Sequence, residues 1–358
     1  MPAPFLKTSI ETSIMRQIKY SQALSEGMVQ EMEANPDIFI TGIAVDYPSG
    51  IFGSTTDALK RFGSARVFDA PAMENALTGI CIGAAAVGKR PIIVHPRVDF
   101  MFLSFDMLIQ LAAKWRYMYG GNAGQVPIVI RAVIGRGWGQ GATHSQSIQS
   151  MLAHIPGLTV VMPAFPADAK GLMISALRHT GPTVILEYRT LYDTLGEVPE
   201  EPVVVPLGKA NVVRQGEDIT IVASSYMSFE AVHAADELKK HGISAEVVDL
   251  RSIRPLDEET ILASVRKTGH LIVADTSWEL CGVASEVAAL VAEKAFNHLK
   301  KPVRRLTVAN CPSPVSQPLE KAFYPTATTI AQVAQFMLGR EMLGMDTLER
   351  EDAFKGPY

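Results

Sequence analysis

The chain has few cysteines and no long uninterrupted apolar segment. Its cysteines, Cys81, Cys281 and Cys311, include no Cys-x-x-Cys pair, which argues against a disulfide framework and against a structural zinc site. The longest apolar stretch, residues 80–88, is about half the ~18 residues that a membrane-spanning helix needs. The amino-terminal residues lack the apolar core of a secretory signal peptide. We therefore expect a cytoplasmic protein that does not bind membranes.

The chain also lacks an excess of charge of either sign. It has 33 Lys and Arg residues against 37 Asp and Glu residues, a net charge of −4, which argues against a nucleic-acid-binding protein. Hydrophobic residues make up 47% of the sequence, too many for a disordered chain. At roughly 150 residues per domain, 358 residues predict about two domains.

Two series of alternating helix and strand patterns divide the sequence. In the first series, apolar segments such as 91–94 and 126–131 follow segments of small or helix-forming residues, which predicts a parallel sheet covered on both faces. One long helix is predicted there because five residues recur on one face, namely Leu108, Leu111, Ala112, Trp115 and Met118. Alternation restarts near residue 219.

We therefore predict an α/β protein with two three-layer α/β/α domains. The segment 195–209 holds several prolines and acidic residues, a composition typical of a linker. The predicted organisation is an N-terminal extension at 1–15, a first domain at 16–194, the linker at 195–209, a second domain at 210–340 and a tail at 341–358.

Three local patterns bear on chemistry. The glycine-rich segment 135–141 lacks the Gly-Lys-Ser/Thr of a phosphate-binding loop, and predicts a flexible loop instead. His144 and Ser145 are not a hydrolase pair, because no Gly-x-Ser-x-Gly elbow is present. Glu74 opens an otherwise small and apolar helix after a strand, which fits either a ligand site at a strand end or an ordinary acid in a first helical turn.

Ordered motifs over residues 16–335 resemble the β subunit of 2-oxoacid dehydrogenases. This is the thiamine-diphosphate-dependent decarboxylating component of the pyruvate and branched-chain types. The matching segments are 69–74, 79–91, 99–100, 112–114, 117–118, 120–121, 141–147, 168–171, 206–210 and 249–257. The resemblance implies a transketolase-like pyrimidine-binding domain followed by a transketolase C-terminal-like domain.

The resemblance also implies roles for single residues. Glu74 matches the glutamate that hydrogen-bonds the aminopyrimidine of thiamine diphosphate and promotes loss of the thiazolium proton. Phe100 matches the aromatic residue that stacks on the pyrimidine, although a phenylalanine after a strand is by itself more often a core residue. His144 matches a histidine that assists protonation or acyl transfer to a lipoyl group. Asp168 belongs to a segment that, in some relatives, binds a monovalent cation such as K⁺ through backbone oxygens.

The family's Gly-Asp-Gly motif for Mg²⁺ and the diphosphate is missing from this chain. The resemblance therefore implies a separate α subunit that holds Mg²⁺ and shares the cofactor with the β chain in an α2β2 tetramer. It further suggests docking to a dihydrolipoyl acyltransferase core, and self-association as β2 in the absence of the α subunit.

Two departures from the family pattern concern the active site. Ile43 stands where the family usually has an acidic residue, so one acid near the cofactor is lost. Residues 94–98 are also unusual, and their His95 and Arg97 predict either recognition of an anionic substrate or a repacked entrance. These departures suggest one alternative for the whole chain, a non-catalytic scaffold of the same fold. Another alternative is the C-terminal half of a split transketolase, of which Glu74 and Asn75 are reminiscent.

Overall fold

The computed structural model describes residues 14–136 and 139–342. Most of the predicted N-terminal extension and tail, and two residues of the glycine-rich loop, lie outside these ranges. Among the described residues, every helix is too short or too polar to cross a bilayer.

Short strands and helices alternate along the chain. The strands are β1 (Met15–Lys19), β2 (Ile38–Gly42), β3 (Val67–Asp69), β4 (Arg90–His95), β5 (Val129–Ile134), β6 (Thr159–Val161), β7 (Thr183–Tyr188), β8 (Leu195–Pro199), β9 (Asn211–Arg214), β10 (Ile219–Ala223), β11 (Ala245–Asp249), β12 (Ser252–Arg254), β13 (Leu271–Trp278) and β14 (Arg304–Val308). The helices are α1 (Tyr20–Ala34), α2 (Thr56–Phe62), α3 (Glu74–Ala86), α4 (Val98–Met101), α5 (Trp115–Met118), α6 (Gln149–Ala153), α7 (Pro166–Arg178), α8 (Tyr226–Lys240), α9 (Glu258–Thr268), α10 (Val283–Lys294), α11 (Gln317–Phe323) and α12 (Ala327–Leu338).

The first sheet has seven strands in the order β12-β6-β7-β5-β4-β2-β3. All neighbouring pairs in it are parallel except β12 with β6, which is antiparallel. Every residue of β5 and β7 is buried, as expected for central strands with helices on both faces. The sequence prediction of a covered parallel sheet is confirmed.

The second sheet has five strands in the order β14-β13-β10-β11-β9. Its central strands are parallel and buried, and β9 joins one edge antiparallel to β11. Helix α9 is capped by Asp257, whose side chain accepts a hydrogen bond from the backbone N–H of Thr260, and is followed by Gly269 in the left-handed conformation. The second α/β unit predicted from the sequence is thus present.

Strand pairing links the two halves of the chain near their junction. The segment 195–209 contains β8, which pairs antiparallel with β1, and its Val205 is buried against Gly171 of α7. The strand β12 comes from the second half but extends the first sheet. The connection between the halves is therefore anchored at Val198 and Val205, while most of its other residues are exposed.

The prediction of one long helix around residues 108–118 is wrong. The structure has a 3₁₀ turn at Phe102–Ser104, a π-helical turn at Asp106–Ala112 and then the short helix α5. A side chain at Gly157 would lie 1.9 Å from the carbonyl oxygen of Ala113, so another segment packs directly on the backbone here. The spacing of apolar residues correctly predicted that Leu108 and Ala112 are buried. It does not distinguish an α-helix from a 3₁₀ or π-helical turn.

Candidate active site

The predicted catalytic residues lie at the carboxyl edge of the first sheet. Glu74 is the first residue of α3, just beyond β3, and Phe100 lies in α4 just beyond β4. His144 lies in the segment that follows β5. Parallel strands all end at the same edge of a sheet, which is where such folds bind ligands.

The Glu74 carboxyl group is available to an external partner. Its side chain is largely buried, and no described residue donates a hydrogen bond to its carboxylate. The two carboxylate oxygens are not among the fully buried unpaired side-chain atoms of the described residues, so a ligand can reach them and form a hydrogen bond. The first-turn position does not by itself account for the burial of this acid.

The Phe100 ring is 41% exposed and does not belong to the core. The His144 ring meets it edge-on, with ring centroids 5.3 Å apart and planes at 79°. The Oγ1 atom of Thr143 lies 3.0 Å from Nδ1 of His144 and orients the imidazole. The structure thus brings Phe100 and His144 into contact, and the exposed part of the Phe100 ring is available to a ligand.

The segment that carries His144 is also in contact with the second domain. Gly139 and Gly141 have φ angles of +65° and +70°, in the left-handed region that favours glycine. A side chain at Gly139 would lie 2.6 Å from the carbonyl oxygen of Val315, and one at Gly141 would lie 2.6 Å from its Cγ2 atom. These glycines allow the close approach of the loop to Val315.

His95 and Arg97 are both buried beyond the last residues of β4. Neither ring nitrogen of His95 has a hydrogen-bond partner among the described residues, and burial lowers its pKa to about 4. His95 is therefore a neutral ring at physiological pH. Burial also lowers the pKa of Arg97 to about 10, with Asp99 acting in the opposite direction, so Arg97 keeps its charge.

The sequence analysis missed Arg189, which follows the last residue of β7. Its guanidinium lies 4.3 Å from the ring centroid of Phe52 and 5.1 Å from that of Tyr192. Burial lowers the pKa of Arg189, and the positive charge of Arg189 contributes to the lowered pKa of Arg97. An arginine directly after a buried strand was the available signal, but its electrostatic influence on Arg97 depends on the order of the strands in the sheet.

A buried ion pair joins the neighbouring strands β5 and β7 of the first sheet. Arg131 in β5 donates to both carboxylate oxygens of Glu187 in β7, at 2.6 and 2.8 Å. Arg131 also donates to Ser54, and Tyr192 donates its hydroxyl hydrogen to Glu187. The partners are satisfied by several hydrogen bonds, which is what a fully buried pair requires.

The side chain of Asp168, in α7 of the first half of the chain, forms an ion pair with Arg251 of the second half. Its carboxylate accepts a hydrogen bond from Nη1 of Arg251 at 2.9 Å, and burial raises its pKa while Arg251 opposes the rise. Burial and the nearby Asp168 raise the pKa of Asp249 to about 7. Over the described ranges, no group of three or more His, Cys, Asp or Glu side chains is arranged to hold a metal ion.

Known families and proteins match almost the whole chain. The transketolase pyrimidine-binding domain family matches residues 16–194, and the transketolase C-terminal domain family matches residues 208–330. A solved structure described as a split-gene transketolase in an inactive β4 tetramer superposes with a TM-score of 0.74 at 25% identity, covering 90% of this chain and 98% of that one.

Curated relatives are more similar in sequence. The β subunit of acetoin:2,6-dichlorophenolindophenol oxidoreductase from Cupriavidus necator is 40% identical over 89% of this chain and 97% of its own length. The 2-oxoisovalerate dehydrogenase β subunit from Bacillus subtilis is 39% identical over 86% and 95%. The pyruvate dehydrogenase E1 β subunit from Rhizobium meliloti is 38% identical over 88% and 68%. These likenesses favour the dehydrogenase assignment over a split transketolase, and the chain belongs to the family of β subunits of thiamine-dependent 2-oxoacid dehydrogenase E1 components.

Proposed function

We propose that this chain takes part in decarboxylation of a 2-oxoacid and transfer of the resulting acyl group to lipoamide. The observation that carries the proposal is the buried Glu74 carboxyl group, which no described residue engages, at the sheet edge that also presents Phe100. Thiamine diphosphate, when bound, supplies the electron sink for loss of carbon dioxide.

The residues present fit the aminopyrimidine half of that cofactor. The Glu74 carboxyl group would hold a proton against a ring nitrogen, and the exposed Phe100 ring would cover the aromatic face. His144, in edge contact with Phe100, would hold or deliver a proton at the substrate oxygen during acyl transfer. Its half-buried position leaves the imidazole in reach of a substrate.

The diphosphate half requires a second chain. Because this sequence contains no Gly-Asp-Gly, we assign Mg²⁺ and diphosphate binding to an α subunit that carries the motif, in an α2β2 assembly. Backbone oxygens near Asp168 are the proposed K⁺ ligands, since its carboxylate is engaged with Arg251. Docking to a dihydrolipoyl acyltransferase core and β2 self-association belong to the same proposal.

The Glu74→Gln substitution tests the proposal and the scaffold alternative together. In the co-purified αβ complex, we expect release of carbon dioxide from 2-oxoacids to fall by about 10³-fold, because glutamine cannot exchange the proton. The exposed Glu33→Gln change is the matched control and should leave the rate unchanged. Undiminished decarboxylation by Glu74→Gln would favour the non-catalytic scaffold. Ile43, which stands where the family usually has an acidic residue, also suggests that alternative.

A further inference from the structure

The second domain contacts the segment that carries His144 at two places. Before His144, Gly141 lies against Val315, so closely that a side chain at Gly141 would be 2.6 Å from the Cγ2 atom of Val315. After His144, the side-chain amide of Gln149 donates a hydrogen bond to Oδ1 of Asp275 at 2.6 Å. Gln149 is the first residue of α6, and Asp275 lies in β13 of the second sheet. His144 therefore lies between two contacts with the second domain.

The residues between these contacts present a polar face to the second domain. Ser145 and Ser147 are buried and line a small cavity, whose other lining residues include Thr276 and Ser313 of the second domain. Neither serine hydroxyl has a hydrogen-bond partner among the described residues. The direct hydrogen bond from this polar face to the second domain is therefore that of Gln149.

The Asp275 carboxylate is withdrawn from water and is held by two donors. The residue is 2% exposed, and burial raises its pKa, while the hydrogen bonds from Ser277 and Gln149 oppose the rise. Ser277 donates its hydroxyl hydrogen to Oδ2, and Gln149 donates to Oδ1. Hydrogen bonds to a carboxylate are stronger than those between neutral groups, and a buried carboxylate that loses a donor keeps its cost of desolvation. The bond between Gln149 and Asp275 is therefore a strong link.

The position of His144 depends on how its segment is held. The first domain holds the segment at Gln146, whose side chain donates to Asp99. Residues 145–148 have no regular secondary structure, so contacts of their side chains and of the flanking residues fix their path. A proton carrier acts only within hydrogen-bond reach of the atom that it serves, and a shift of about 1 Å can cost up to 100-fold in rate.

We propose that Gln149 and Asp275 are positioning residues, through which the second domain fixes the place of His144 beside Phe100. The inference rests on the proposed function for the role of His144 in acyl transfer, whereas the link between the domains is a property of these side chains alone. Glu74, Phe100 and His144 all belong to the first domain. The link gives the second domain a part in the reaction, because it sets the position of one of them.

The first experiment measures hydrogen exchange by mass spectrometry across residues 141–152 of the co-purified αβ complex. This range holds backbone hydrogen bonds at both ends, which report on its opening. Gln149→Met keeps the length of the side chain but removes the donor, and we expect exchange to become about 10-fold faster. Gln110→Met, which removes only an exposed contact with Lys114, is the matched control and should leave the exchange unchanged.

A reciprocal exchange of the two groups tests the bond itself. Gln149→Glu places two carboxyl groups against each other and should speed exchange at least as much as Gln149→Met. Adding Asp275→Asn restores an amide and a carboxylate with their positions reversed, while the new amide oxygen still accepts from Ser277. The paired variant should therefore exchange almost as slowly as the wild type. Asp275→Asn alone should do the same, because the Gln149 amide can turn and accept the bond.

The second experiment asks whether the link acts on the reaction. We expect Gln149→Met to lower kcat for acyl transfer to lipoamide by about 10-fold and to change KM for the 2-oxoacid by less than about two-fold, since it displaces His144 and leaves the other site residues in place. The paired variant should recover most of this kcat. A role in stability alone would lower the thermal unfolding midpoint and leave the kcat of the folded complex unchanged.

Three outcomes would overturn the positioning role: unchanged exchange in Gln149→Met, a paired variant no better than Gln149→Glu, or faster exchange with an unchanged kcat. A different outcome bears on the proposed function. If the wild-type complex decarboxylates no 2-oxoacid while hydrogen exchange responds to the substitutions as expected, the proposed function fails and the link between the domains remains.

Discussion

The side chain of Gln146 donates a hydrogen bond to Oδ1 of Asp99 at 2.8 Å. Asp99 immediately precedes Phe100, and Gln146 lies two residues after His144. One hydrogen bond therefore joins the segment that carries the candidate stacking ring to the loop that carries the candidate proton carrier.

Replacing Gln146 by Met should impair chemistry more than folding. The loss of the bond to Asp99 lets the His144 loop shift, and a displacement of about 1 Å in an active site can cost up to 100-fold in rate. We expect kcat of the αβ complex to fall by about 10-fold or more with little change in the unfolding midpoint. The matched control is Gln110→Met, which removes only an exposed contact with Lys114. An unchanged kcat would show that the bond does not position His144.

If Gly141 and Val315 are in contact, a second substitution at Val315 should partly restore the activity that a substitution at Gly141 removes. Gly141→Ala places a methyl group 2.6 Å from Cγ2 of Val315 and strains a backbone with φ of +70°, so activity should fall. Adding Val315→Ala removes the clash but not the backbone strain of about 1 kcal/mol, so kcat should recover only in part. Gly83→Ala, where a side chain meets open space within a helix, is the control. A double variant no better than the single one would place the whole defect in the backbone.

Breaking the buried ion pair should destabilise the protein strongly. Arg131→Met leaves the Glu187 carboxylate without its cation, and we expect the free energy of unfolding to drop by about 3–5 kcal/mol. The double variant Arg131→Met with Glu187→Leu should be less damaged than Arg131→Met, because no unpaired charge is left. For comparison, Lys89→Met removes an exposed pair with Asp37 and should cost less than about 1 kcal/mol. Urea unfolding monitored by circular dichroism measures all three.

The raised pKa of Asp249 predicts a pH-dependent loss of stability. Between the unfolded pKa of about 3.9 and the folded pKa of about 7, the folded state binds more protons, so stability falls as the pH rises through this window. Asp249→Asn removes the cost of ionisation and can still accept the hydrogen bond from Ser228. Its gain in unfolding free energy over the wild type should be on the order of 2–4 kcal/mol at pH 8 and vanish towards pH 4. Glu293→Gln, at an exposed position, should show no such trend, and a pH-independent effect of Asp249→Asn would contradict the assignment.

Sequence patterns predicted the architecture because they report burial directly. Mostly apolar strands such as β5 and β7 occur where both faces of a sheet are covered, so the alternation of strands and helices indicated two α/β domains. At residues 106–112 the same reasoning predicted the buried face correctly, but it predicted an α-helix where the structure has a π-helical turn. The turn type there depends on the approach of Gly157 to the Ala113 backbone, a contact between distant segments.

By itself, the sequence predicted the covered parallel sheet and placed Glu74 after a strand, where it fits either a ligand site or an ordinary acid in a first helical turn. The roles of Phe100 and His144 are implied only by the family resemblance. Only the tertiary structure decided which side chains meet at the sheet edge. Arg97 and Arg189 are ninety-two positions apart, and the strand order β7-β5-β4 brings the ends of the strands that they follow to within two positions of each other in the sheet. Gly141 contacts Val315 because the second domain packs on the loop after β5. Such contacts arise from long-range packing, to which no local periodicity responds.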